Sequence, residues 1–193
     1  MPLLVAVDLK SIPSAVELQK EYVDIQLPDY GALVKELSES HTGLSEDPVK
    51  KGITTLNALI AQIDAFKTRA ASIVSLAIKN ENDFEVLYKK AQAIYQREYD
   101  SRLPQSPVAD FSNAQSREAA CNSLLANLKS LLQAIEGSYS QSKSFTRIAN
   151  NEFAKLDSTN KNISRQITVV QLAAEIGEIG RPVSPGEPQK YTF

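Results

Sequence analysis

Leu56-Asn57-Ala58-Leu59-Ile60-Ala61-Gln62-Ile63-Asp64-Ala65-Phe66-Lys67-Thr68-Arg69-Ala70-Ala71-Ser72-Ile73-Val74 decides the fold class of this chain. Its apolar residues Leu56, Leu59, Ile60, Ile63, Phe66, Ala70, Ile73 and Val74, followed by Ala77, recur three and four apart, the stripe of an amphipathic helix. The stretch lies inside residues 53–176, which hold only three helix breakers, Pro104, Pro107 and Gly137. A strong start precedes it. Ser45-Glu46-Asp47-Pro48 supplies a hydroxyl cap, two acids at the positive end of the helix dipole and a proline for the first turn.

Downstream, the stripe meets Lys79-Asn80-Glu81-Asn82-Asp83. Asn82 with Glu85 has the spacing to cap a new helix carrying Phe84, Leu87, Tyr88, Ala91, Ile94 and Tyr95. A turn and a straight run both fit, and the turn is favoured because Asn-rich clusters suit loops better than helix interiors. Leu103-Pro104-Gln105-Ser106-Pro107 forbids a continuous helix. Ser112-Asn113-Ala114-Gln115 then reads as a capping box.

From Ala119 the stripe resumes through Leu124, Leu125, Leu128, Leu131, Leu132 and Ile135, and on through Tyr139, Phe145, Ile148, Phe153, Leu156, Ile163, Ile167, Val170 and Ala174. Two patches are weak and open to a kink or turn: 138–144 behind Gly137, and 157–162. Without them 112–176 would run as one rod of about 100 Å.

Upstream, Leu3-Leu4-Val5-Ala6-Val7 is β-prone with no obvious partner strand, and we read it as an apolar arm. Pro13 followed by Ser14-Ala15-Val16-Glu17 predicts a capping box and a short helix toward Val23. A second short helix is expected from Tyr30 to Ser40, with Leu33, Val34 and Leu37 on one face and Gly43 as its stop. The Pro/Gly-rich run after Gly180 ends in Tyr191-Thr192-Phe193 and reads as an extended tail.

Composition agrees with the pattern. Of 193 residues 42% are apolar but only 7% aromatic, with no Trp, so the core is aliphatic and suits helix packing. The expected fold is all-α: a long helical hairpin or four-helix bundle over 45–179, with an arm and short helices over 1–44 and a tail over 180–193. The start carries no basic region and meets Asp8 early, so no signal peptide is expected. No apolar run approaches membrane-spanning length, which points to the cytoplasm or a large assembly such as a virion.

The residues that carry most chemistry are sparse. His41 is the only histidine, expected at a helix end, and Cys121 is the only cysteine, expected to pack as a small apolar residue. Neither has neighbours at zinc-ligand spacing, and no phosphate-binding glycine pattern or calcium loop occurs. No cofactor, metal or small-molecule substrate is expected, and an enzyme ranks last.

Net charge is −2, which makes no global case for nucleic acid. One segment is mildly basic: Lys143, Arg147, Lys155, Lys161 and Arg165, with Phe145 and Phe153 between them on the core stripe. It carries the lesser expectation, a helical accessory protein binding single strands. The greater expectation is self-association, or association with another helical protein. Narrow stripes with polar intrusions such as Ser142 and Asn160 set register and partner number. Tyr88, Tyr95 and Tyr99 share one face, either as rims of the core or as interface anchors. With the arm residues Leu4 and Val5 and the tail residues Val183, Tyr191 and Phe193, they make up the expected interface. Site-poor helical chains of this kind are common among virion and assembly proteins, an analogy at the level of fold alone.

Overall fold

A computed structural model describes residues 4–25, 27–39 and 48–179. His41, Gly43, the expected cap at 45–47 and the tail residues Val183, Tyr191 and Phe193 lie outside these ranges. The fold is all-α. Helices α1 (Pro13–Asp24), α2 (Tyr30–Glu39), α3 (Pro48–Arg102), α4 (Ala114–Leu124) and α5 (Ala126–Ile179) follow one another, and no strand forms among the described residues.

Two compact units are built from them: Met1–Lys35 with Ser72–Asn151, and Glu36–Ala71 with Glu152–Phe193. Helix α1 and the arm pack with residues 72–151, because a helix of 12 residues gains its stability from packing.

Burial explains why α3 and α5 run so far. On α3 Leu56, Ile63, Ala70, Ala77, Phe84 and Ala91, each seven residues from the last, are all buried; on α5 so are Leu128, Ile135, Ser142, Ala149, Leu156, Ile163 and Val170. A seven-residue spacing keeps every member on one face. The favoured turn at 79–83 is therefore absent. Asn80 takes the seam position between Ala77 and Phe84, while Lys79, Asn82 and Asp83 point to solvent, so the polar cluster costs only helix propensity. Likewise 138–144 and 157–162 stay helical.

Caps differ in detail from expectation. Helix α1 begins with Pro13 at its first position and Ile12 as an uncapped N-cap, so Ser14 does not cap it. Asn113, not Ser112, caps α4, its side chain accepting from Ser116 N at 2.7 Å. Asp29 does the same for α2, accepting from Ala32 N at 3.0 Å. Near its start α3 contains one residue off the helical path, Gly52, at φ 75° and ψ 160°. An added Cβ would meet nothing within 4 Å, so backbone conformation alone reserves the position for glycine.

In the first unit Tyr88 reaches Glu136 and Tyr139 while Tyr95 reaches Asn122, so α3 runs antiparallel to α4 and α5 there. Helix α1 lies alongside, Lys90 pairing with Glu21 and Arg97 donating to Ser14. Leu18, Phe84, Leu87, Ala91, Leu131 and Ile135 form one core; Ile12, Ala15, Val108, Cys121, Leu125 and Leu128 belong to a second. In the other unit α3 is again antiparallel to α5, with Leu56, Ile63, Ile163 and Val170 as its core. Lys67 meets Asp157 at 2.8 Å and Asn160 donates to Asp64 at 3.0 Å.

Candidate functional site

The arm is held by a fault between two helices. At Leu125 the backbone leaves the helical path, and the carbonyl of Leu124 accepts from Val7 N at 2.8 Å. Asn127 Nδ2 returns a bond to the Val7 carbonyl at 3.0 Å. Both backbone groups of Val7 are thus satisfied without a partner strand. Leu4 and Val7 pack on the core beneath, while Val5 stands 72% exposed.

A polar band crosses the seam of the first unit. Ser138, Ser142, Thr146 and Asn80 are buried where the repeat elsewhere is apolar. Ser142 Oγ donates to the Ser138 carbonyl at 3.0 Å and Thr146 Oγ1 to the Ser142 carbonyl at 3.1 Å, satisfying each hydroxyl within α5. With its proton spent this way, Ser142 accepts from the Tyr30 hydroxyl at 2.9 Å. The Tyr30 ring stacks on buried Phe145, centroids 4.4 Å apart. Tyr22 meets Ser138 Oγ at 3.0 Å and Phe84 edge to face. Asn80 is the exception: its Nδ2 is buried and finds no partner among the described residues.

Two clefts flank this band. One, of about 490 Å³, is lined by Glu81, Lys143, Thr146, Arg147 and Asn150 among others. The other, of about 650 Å³, is mostly apolar, lined by Tyr30, Val34, Phe145 and Ile148 with Ser144 at its edge. Of the hydroxyls and amides here, Ser142, Thr146 and Asn150 each donate to a carbonyl four residues back in α5.

The tyrosines are engaged inside the chain. Tyr88 stacks on Tyr139 at 5.8 Å, and its hydroxyl donates to Glu136 at 3.3 Å. Tyr95 stacks on Tyr99 at 6.2 Å and donates to Asn122 at 2.7 Å. Partial burial raises all three phenols above their ordinary range. Cys121 is buried beside the carbonyl of Tyr99, and burial pushes its thiol up, away from nucleophilic use.

The five basic residues are not alike. Lys155 is paired with Glu152 at 2.5 Å and Lys161 with Asp157 at 2.7 Å. Hydrogen bonds from Lys161 and then Lys67 lower the Asp157 carboxyl to about 2. Lys143 lies 6.0 Å from the Tyr139 ring centroid and shares the polar cleft with Arg147. Arg165 is exposed on α5. Of the two phenylalanines, Phe145 is buried and Phe153 half-buried.

No family model, curated protein or solved structure matches this chain. Among the described residues no helix is long and apolar enough to cross a membrane, and no group of three or more His, Cys, Asp and Glu is placed to hold a metal ion.

One surface feature escapes the stripe read from sequence. Val169, Leu172 and Ile176 are exposed on α5, while Ala174, expected on the buried stripe, is exposed as well. Their spacing of three and four was visible in the sequence, but beside Ile163, Ile167 and Val170 it widens the apolar face without saying which side is buried.

Proposed function

We propose that this chain is a non-enzymatic assembly protein that associates through outer helix faces with copies of itself or another helical protein, of the kind that builds large structures, virions among them. The observation that carries this is the set of large apolar side chains left outside helices whose seams are already filled. Val86 is 56% exposed, and Val169, Leu172 and Ile176 are 51%, 50% and 67% exposed. Scattered apolar residues are ordinary on a protein surface, whereas a contiguous helical row points to a covered face. The test is the solution mass of the full chain by light scattering across a concentration series. A defined multimer is expected; a mass of 21.2 kDa at every concentration would rule out self-association.

A nucleic-acid accessory role is favoured by one observation, the shared cleft of Lys143 and Arg147. If those two contact phosphates, replacing both with Ala lowers the single-strand salt slope by roughly 1.4. Absence of any single-strand binding by the parent protein at low salt would dispose of it.

A further inference from the structure

We infer that Arg165, Val169, Leu172, Glu175 and Ile176 of α5 form a self-complementary row on which a second copy of this chain seats in antiparallel register. This rests on the assembly reading above and makes it specific.

Positions 165, 169, 172 and 176 alternate steps of four and three, so they lie on one face of the helix. It is a different face from that of Leu156, Ile163 and Val170, which is buried. The three apolar members are half exposed or more, and Arg165 and Glu175 are exposed. Neither of these two charges has an ion-pair partner among the described residues. Ala173, small and exposed, flanks the row and leaves room for a second helix.

Charge complementarity selects the occupant. A copy turned end for end about the midpoint between residues 170 and 171 sets Val169 level with Leu172, and Leu172 level with Val169. The same operation brings Arg165 level with Ile176 and beside Glu175. Because a two-fold contact repeats itself, the Arg165–Glu175 pairing occurs twice. A parallel copy would set Arg165 against Arg165 and Glu175 against Glu175, and like charges across an interface are costly. The row is short against an ordinary stable interface, so the dimer is expected to be weak and concentration-dependent.

The experiment is sedimentation equilibrium of the full chain, with helicity checked by circular dichroism. Replacing Leu172→Asp is expected to raise the dissociation constant roughly tenfold or more, as is the single reversal Arg165→Glu or Glu175→Arg. The double reversal, Arg165→Glu with Glu175→Arg, is expected to restore parental association. A parent that oligomerises while Leu172→Asp leaves it unchanged would overturn the row and spare the assembly reading. So would a double reversal that stays as weak as the singles. A parent that remains monomeric throughout would overturn the row and self-association with it.

Discussion

The two units solve one packing problem in different ways. Both set α3 antiparallel to α5 along seams with a seven-residue repeat. In Met1–Lys35 with Ser72–Asn151, the seam carries an aromatic core around Phe84 and then a polar band, with Tyr22 and Tyr30 bonded to the band's serines. In Glu36–Ala71 with Glu152–Phe193, the described core is aliphatic: Leu56, Ile63, Ile163 and Val170. Charges frame it: Lys67 and Lys161 share Asp157, and Arg69 grips Glu36 through two hydrogen bonds. Where helices α1 and α2 supply phenols, the seam serines Ser138 and Ser142 find partners across it. The aliphatic unit relies on a few layers and surface ion pairs, which contribute little each.

The contrast can be broken most directly by truncating one core residue in each unit. Phe84→Ala is expected to cost about 3–5 kcal/mol and Ile163→Ala about 2–4 kcal/mol, since each leaves a cavity. Hydrogen exchange should place the first loss among the amides of residues 72–102 and 126–151, and the second among those of 53–71 and 152–170. Equal loss of protection everywhere after Ile163→Ala would show that the units do not differ in the way described.

A smaller and opposite effect is expected at the polar band. Asn80 buries an amide nitrogen without a partner, and burial of such a group costs about 1–3 kcal/mol. Asn80→Leu should therefore stabilise the chain by about 1 kcal/mol in chemical denaturation. A destabilised variant would mean that the amide is satisfied in solution, by water or by rotation toward the serines.

The smallest effect belongs to Asp157. Its carboxyl is lowered in the folded state, so its contribution is present above the unfolded pKa of about 4 and is lost as pH falls through about 2. Asp157→Asn should lower stability slightly at neutral pH and make its decline between about pH 4 and 2 shallower. An acid limb identical to the parent's would show that Lys67 and Lys161 hold the carboxylate no better in the folded chain than in the unfolded one.

Much of the fold was legible because it depends on local periodicity. Apolar spacing specified helices, and the two prolines at 104 and 107 placed the break between α3 and α4. The candidate surfaces were less so. Tyr88, Tyr95 and Tyr99 were visible as a line, but a line of tyrosines does not show whether its rings face the chain's own core. The basic segment was visible too, yet its reach was not, since Glu152 and Asp157 occupy two of its lysines.

By itself the sequence determined that this chain is helical, aliphatic in its core and poor in the residues of catalysis, because helix propensity and the 3.6-residue period act within a few positions of each residue. Only the tertiary structure decided that 79–83 and 138–144 continue as helix, because burial of Phe84, Leu87, Ile135 and Phe145 outweighs the cost of their polar neighbours. It alone decided that Val7 ends at a helix fault, and that Val169, Leu172 and Ile176 face outward. Those outcomes depend on residues far away in the chain, whose packing no local pattern records.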